Sequence, residues 1–467
     1  MGLFIKIFFQ ILILIIILIY YFYPINSYCP FSDEVETYKI GDGESLKVGI
    51  ISDVHLPYSK KSSKIFKDFI ENFENSLKIL KENKIEVLIV AGDIGEKGSE
   101  FAYKLFLKTF NKIFDKKQPI LNIIMGNHDY FGPYYNNVYH QKIFEKVFNQ
   151  KPFTHKIINN FHFINWGNEN NDMNHKSNLN STWFKNHLRI ALDQKSKKNP
   201  IFVTTHVNPY KTVFGSETWG NSMLKELFDG YEEIINICGH SHFSMMDERS
   251  IFQNNFTVVQ TQTVSRIECE LNKANGLYPE FFNKEIDSNN NPKYNSMGYI
   301  VNINKTNVQF QRISFSFNKI YDKFWNVKIP LKKENFLYKN EIRIKNDKKP
   351  DFKGDNKIFY TIKKNYKKHA EVVIKFQQAF HKENVYEYKI MIFNYDKDLI
   401  KEFYYLSDFY LLPENREEFI SFKLKYDFFN DLKYYIKIYA IDSWGKISEN
   451  YLIQDLNVTE IIDSYNL

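Results

Sequence analysis

The chain has 467 residues, 43% hydrophobic and 25% charged, a globular composition that excludes wholesale disorder and leaves room for two or three domains. Its 62 basic and 55 acidic residues leave a formal charge of +7, too small an excess to make nucleic acid a default partner. Three cysteines (Cys29, Cys238, Cys269) cannot build a disulfide framework.

From Leu3 to Tyr23 only Lys6 and Gln10 interrupt an apolar run. About 20 such residues, rising ~1.5 Å each, cross a bilayer core of ~30 Å. Lys6 precedes the run, and Asp33, Glu34 and Glu36 follow it, so the positive-inside bias places the body on the extracytoplasmic side. The expectation is a single-pass signal anchor over 1–28. The alternative is a cleaved signal peptide and a secreted protein, although no clean A-x-A site follows. Residues 29–45 read as a linker.

From Leu46 onward short apolar runs alternate with helical periodicity. Lys47–Ser52, Val87–Val90, Ile120–Ile124, Ile201–Thr205 and Ile234–Cys238 read as buried strands. Ile65–Leu80, Phe101–Phe114, Trp183–Ala191 and Met223–Phe228 carry apolar residues at three and four spacings and read as amphipathic helices. This alternation predicts an α/β domain over 46–330. Phe256–Thr261, Gly298–Ile303 and Val308–Ser314 read as strands without intervening helices, and Leu277–Asn295 as a long loop.

Beyond residue 330 the chain reads as all-β. Val372–Phe376, Tyr386–Phe393, Phe419–Leu424 and Lys433–Ala440 are short strand-like runs with turn residues between them, predicting an immunoglobulin-like β-sandwich over 331–467. Tyr434–Ser448 is similar to the late strands of fibronectin type III-like domains. A protein or polyanion partner of this domain is not specified by the sequence.

Five short motifs follow five of the strands: Asp53 and His55, then Gly92-Asp93, then Gly126-Asn127-His128-Asp129, then His206, then Gly239-His240-Ser241-His242. In α/β sheets ligands gather at the carboxyl ends of strands. Imidazole, carboxylate and amide oxygen suit Zn, Mn or Fe, and a carboxylate can bridge two ions.

In order, spacing and strand context, these motifs resemble the calcineurin-like metallophosphoesterase superfamily. The resemblance implies an αββα sandwich and two divalent metal ions. It implies that Asp53, His55 and His242 hold one ion, that Asn127, His206 and His240 hold the other, and that Asp93 bridges. A bridging hydroxide would attack a phosphomonoester or phosphodiester in line, with His128 stabilising charge or protonating the leaving oxygen and Asp129 orienting it. Purple acid phosphatases carry a Tyr three residues after the bridging Asp; here Glu96 stands there. Protein phosphatases continue G-D with V-D-R-G; here Ile94-Gly95-Glu96-Lys97 follows.

The aromatic stretch Tyr130–Asn136 is a candidate pocket wall, with Glu217, Trp219 and Asn221 as weaker candidates. The rival reading is a surface binding or adhesion protein with a vestigial catalytic domain. Against it, all seven ligand positions and His128 are filled.

Overall fold

The computed structural model describes residues 28–132, 136–168, 181–195, 198–268, 270, 273, 286–287, 296–353, 357–364, 370–425 and 433–457. The apolar run 3–23 lies outside them. No helix among the described residues is long and apolar enough to cross a membrane.

Two sheets form the first part of the molecule. One contains β2 (Leu46–Ile51), β3 (Val87–Val90) and β4 (Ile120–Ile123), all parallel, continued by antiparallel β12 (Met297–Ile303), β13 (Asn307–Ser314), β14 (Lys319–Ile320) and β15 (Trp325–Lys328). The other runs β1 (Phe31–Tyr38), β5 (Phe153–Ile158), β6 (Phe161–Trp166), β7 (Ile201–Thr204), β8 (Ile234–Cys238), β10 (Thr257–Gln260) and β9 (Ile251–Gln253).

Strand alternation separates three cores. On β2 and β3, Val48, Ile50, Val87 and Ile89 face inward, where they meet Phe163, Phe202, Ile235 and Ile237 of the opposite sheet. Their neighbours Ile51, Leu88 and Val90 face outward, against the helices α1 (Lys67–Glu82), α2 (Glu100–Phe114) and α3 (Asn137–Phe148). On the far side Ile234 and Cys238 pack with Phe184 and Leu188 of α4 (Ser181–Gln194). After the single turn α5 (Ser216–Trp219), α6 (Ser222–Phe228) adds Leu224 and Phe228 to that core. The result is the αββα sandwich that the motifs imply. Strands buried on both faces read as near-continuous apolar runs, which is why they are visible in the sequence.

The segment expected to be a linker is partly a strand. β1 pairs in parallel with β5 and forms one edge of its sheet. Its sequence, FSDEVETY, is acidic and only partly buried, as suits an edge that must not attract another chain. The same acidity hides it from propensity-based reading.

The C-terminal part is a sandwich of two four-stranded sheets. One is β11 (Ile286–Asp287), β20 (Phe419–Lys425), β17 (Ala370–Gln377) and β16 (Ile358–Lys364). The other is β19 (Leu399–Leu406), β18 (Val385–Asn394), β21 (Lys433–Asp442) and β22 (Leu452–Asn457). Along β21, Tyr434, Ile436, Ile438 and Ala440 enter a shared core with Val372, Ile374 and Phe376 of β17. Within the stretch expected as a long loop, Ile286–Asp287 pairs with β20, so the first domain lends its neighbour an edge strand. Leu331 and Phe336 still pack in the intersheet core; helix α7 (Asn340–Asn346) and a short segment then lead into the sandwich.

Candidate active site

Parallel β2, β3 and β4 end on one rim, and parallel β7 and β8 of the facing sheet end beside them. The turns after these five strands bring together Asp53, His55, Asp93, Asn127, His206, His240 and His242. Asp53, His55, Asp93, Asn127 and His206 are at most 1% exposed.

The backbone there is held in an unusual conformation. Asp53, His55, Asp93, His240 and His242 all have positive φ, between 49° and 74°. Left-handed backbone at non-glycine residues costs on the order of 1–3 kcal/mol each and persists only where surroundings enforce it. Here the turns clamp one another: the amides of Asp53 and His55 donate to the carbonyl oxygens of Gly92 and Asp93, both at 3.1 Å. Gly126 is required by close approach, since a Cβ there would sit 2.2 Å from Asp93 Oδ1.

Hydrogen bonds on the outer side of each ring fix the imidazoles. His55 Nδ1 lies 2.9 Å from Glu96 Oε2, His242 Nδ1 lies 3.1 Å from the Arg266 carbonyl oxygen, and His206 Nδ1 lies 2.8 Å from the Ala91 carbonyl oxygen. Those partners accept only, so each Nδ1 carries the proton and each Nε2 turns a lone pair inward. The inward atoms then crowd. His55 Nε2 and His242 Nε2 are 3.1 Å apart. His206 Nε2 is 3.1 Å from Asn127 Oδ1, 3.2 Å from His240 Nδ1 and 3.3 Å from Asp93 Oδ2. Asp53 Oδ1 comes within 3.2 Å of His242 Nε2 but without hydrogen-bond geometry, and it is buried without a partner.

Acceptors facing acceptors in a buried pocket repel unless positive charge lies between them. The electrostatics agree. At His206 a proton supplies that charge where no ion does: burial disfavours the charged form, yet Asp93 and Asp53 outweigh it and raise its pKa to about 9, so a metal ion would take the Nε2 lone pair by displacing that proton. Burial likewise pushes the Asp53 and Asp93 carboxyls up, but the facing imidazoles hold both below the usual range. The donor set of imidazole nitrogen, carboxylate and amide oxygen therefore fits divalent transition-metal ions.

His128 sits at the rim. Its backbone amide donates to Asp93 Oδ1 at 2.9 Å, its Nδ1 lies 3.2 Å from the Glu96 carbonyl oxygen, and its ring meets that of His55 edge-on at 4.6 Å. Asp129 does not orient it, contrary to the expectation. The Asp129 carboxylate is fully buried and accepts from the amides of Gly126 (2.9 Å), Gly95 (3.1 Å) and Ile94 (3.2 Å). Burial and the nearby Asp93 push its pKa up to about 7. It ties two of the site's turns together, and the Glu96 carbonyl takes the orienting position. The sequence marks Glu96 only by its place three residues after Asp93, where purple acid phosphatases carry a tyrosine.

The flanking candidates divide. Phe131 lies 4.6 Å from the His128 ring, and Trp219 meets His240 edge-on at 5.9 Å, so both border the site. Tyr130 is buried, with its hydroxyl donating to the Asn168 carbonyl oxygen at 2.6 Å. Asn221 caps α6 through the amides of Met223 and Leu224, and Glu217 is exposed. Pro133–Tyr135 lie outside the described residues. Cys238 is fully buried, and burial raises its thiol to about 12, an inert filler behind the site.

Residues 46–244 match the calcineurin-like phosphoesterase family. A probable cyclic nucleotide phosphodiesterase of Xenorhabdus bovienii (strain SS-2004) is 34% identical over 88 residues, which is 18% of this chain and 34% of that protein. The match thus spans about a third of the relative's length. Among solved structures, a purple acid phosphatase from yellow lupin (Lupinus luteus) seeds aligns at 12% identity over 61% of this chain and 54% of its own, with a TM-score of 0.40. Vacuolar protein sorting 29 from Cryptosporidium parvum aligns at 12% identity over 61% of this chain and 99% of its own, with a TM-score of 0.28. With the family match laid over the two sheets whose strand ends carry all five motifs, residues 46–244 are a calcineurin-like phosphoesterase domain.

Proposed function

We propose that the protein is a metal-dependent phosphoesterase acting on a phosphomonoester or phosphodiester. The observation that carries this is the convergence of inward lone pairs around Asp93, with His206 Nε2 at 3.3 Å and His55 Nε2 at 3.7 Å from its Oδ2. Asp53, His55 and His242 would hold one ion and Asn127, His206 and His240 a second, with Asp93 between them. When bound, such a pair supplies a water activated near neutral pH and polarises the phosphoryl oxygens.

The chain's own residues do the rest. Outer-side partners hold His55, His206 and His242 in the tautomer that presents Nε2, Glu96 acting on His55. His128, its Nδ1 committed to the Glu96 carbonyl, has Nε2 available to carry a proton to the leaving oxygen. Phe131 and Trp219 give the rim an apolar border against which a leaving group can pack.

The apolar run 3–23 would tether this domain to a membrane with its body on the extracytoplasmic side, and the β-sandwich would serve as a spacer or binding module. Purified protein with Mn²⁺ or Zn²⁺, tested on bis-p-nitrophenyl phosphate and p-nitrophenyl phosphate, should show turnover that EDTA abolishes. Absence of metal-dependent turnover on these and on a panel of natural esters would overturn the reading. Asp93→Asn should lose bound metal and activity together.

A further inference from the structure

A second cluster of ligand-type side chains lies at the root of the β-sandwich. Asp347 follows α7, His381 lies in the loop after β17, and Asp442 ends β21. One ligand atom from each lies within 4.8 Å of the others. Asp442 is 1% exposed, and the side chains of His381 and Asp347 are 1% and 8% exposed. His381 Nε2 is 3.1 Å from Asp347 Oδ1 and 2.6 Å from the Lys348 carbonyl oxygen.

The carboxylates are incompletely satisfied. Asp442 Oδ1 accepts from the amides of Trp444 and Lys446, each at 2.8 Å. Asp442 Oδ2 and Asp347 Oδ2 are buried without a hydrogen-bond partner. The ammonium of Lys446 does not reach them: it donates to the carbonyl oxygens of Ile344 (2.6 Å) and Asp347 (2.7 Å). Each buried carboxylate thus keeps one oxygen that no donor meets, and only Asp347 Oδ1 faces an imidazole, that of His381.

We propose that Asp347, His381 and Asp442, with the Lys348 carbonyl oxygen beside them, bind one divalent first-row cation that fastens α7 and the segment after it to the sandwich. One imidazole nitrogen with carboxylate and carbonyl oxygens suits Zn²⁺ or Mn²⁺; Ca²⁺ takes six to eight oxygens. Coordination through Nε2 moves the imidazole proton to Nδ1, at the expense of both the 2.6 Å bond that Nε2 donates to the Lys348 carbonyl oxygen and the 3.3 Å bond that Nδ1 accepts from the Glu383 amide. The metal-free alternative is a carboxyl pair sharing a proton.

Asp442→Asn separates the two. Its amide oxygen keeps both caps, and its NH₂ can donate to Asp347, which would favour a metal-free pair. His381→Gln leaves the caps untouched and is the second variant should the first fail to fold. The full chain is stripped with chelator, reloaded with Zn²⁺ or Mn²⁺, and its bound metal counted by mass spectrometry. Wild type should hold one ion more per chain than either variant, with a larger metal-dependent rise in Tm. The phosphoesterase ligands are identical in all three proteins, so the difference belongs to this cluster whatever the pocket hydrolyses. An equal metal count in wild type and the folded variants would overturn the proposal. So would an Asp442→Asn protein that melts higher without metal and binds as much.

Discussion

Glu96 Oε2 lies 2.9 Å from His55 Nδ1, on the side of the ring opposite the Nε2 that faces His242 at 3.1 Å. Burial would raise the Glu96 carboxyl, but the hydrogen bond to His55 lowers it, so it is an ionised acceptor at neutral pH. It is a positioning residue, and its removal should act through the metal. Outer partners of ligating histidines typically matter 10–100-fold in metal affinity or activity. Glu96→Ala should therefore raise the metal concentration needed for half-maximal turnover by about that factor, and saturating metal should restore much of kcat. Glu96→Gln, which still presents an oxygen, should lose less. An unchanged metal titration in Glu96→Ala would remove the role.

His128 makes a different prediction, because it lies outside the seven proposed ligands, at the rim beside His55. Its Nδ1 is committed to the Glu96 carbonyl oxygen at 3.2 Å. General acid–base help is worth roughly 10²–10⁴-fold and matters most when the leaving oxygen is basic. His128→Asn should cut kcat by about that range on an alkyl phosphoester and much less on a p-nitrophenyl ester, with metal content unchanged. Equal losses on both substrates would assign His128 to charge stabilisation in place of proton transfer.

Gly126 tests the packing of the pocket. A Cβ there would lie 2.2 Å from Asp93 Oδ1 and 2.5 Å from the Asp93 backbone nitrogen. Neither atom can yield without moving the carboxylate placed between the two ligand sets. Overpacking of this kind typically costs about 1–3 kcal/mol. Gly126→Ala should lower stability by that order in a urea melt and reduce metal binding more than it reduces Tm. A variant with wild-type metal content would show that the turn after β4 can relax.

Much of this was legible from sequence for physical reasons. The strands carrying the motifs are buried on both faces, so Val87–Val90 and Ile234–Cys238 stand out as apolar runs, and a ligand, Asp93 or His240, follows each within three residues. The ligand side chains are short-range features of those turns. What failed to show was whatever depends on tertiary contact. β1 is acidic and half-exposed, so only its pairing with β5 makes it a strand. The adjacency of Asp129 to His128 suggested a partnership, but a 3₁₀ turn over 128–130 sends the carboxylate back to the amides of Gly126, Gly95 and Ile94. Glu96 is marked only by its place three residues after Asp93, because its contact with His55 exists only once β2 and β3 pair. The Asp347–His381–Asp442 cluster joins three segments far apart in the chain and has no local pattern.

The last prediction concerns histidines outside the site. His155 bridges His162 and His187: its Nε2 lies 2.9 Å from His162 Nδ1 and its Nδ1 3.1 Å from His187 Nδ1. His155 and His162 are at most 1% exposed. Burial, reinforced for His155 by its two imidazole neighbours and for His162 by Lys195, lowers their pKa values from 6.5 to about 3 and about 4. A folded pKa below the unfolded one means that the unfolded chain binds the extra proton. Stability is therefore fully present above pH 6.5 and is lost as pH falls toward 4 and 3. At pH 5 the loss is about 2 kcal/mol for each histidine kept neutral. Urea melts with chelator present, so that metal release does not contribute, should show the midpoint falling between pH 7 and pH 5. His162→Gln removes one titrating group and should flatten that slope, whatever it does to stability at pH 7. If the variant and wild type lose stability in parallel as pH falls, the buried histidines are not the source of the acid sensitivity.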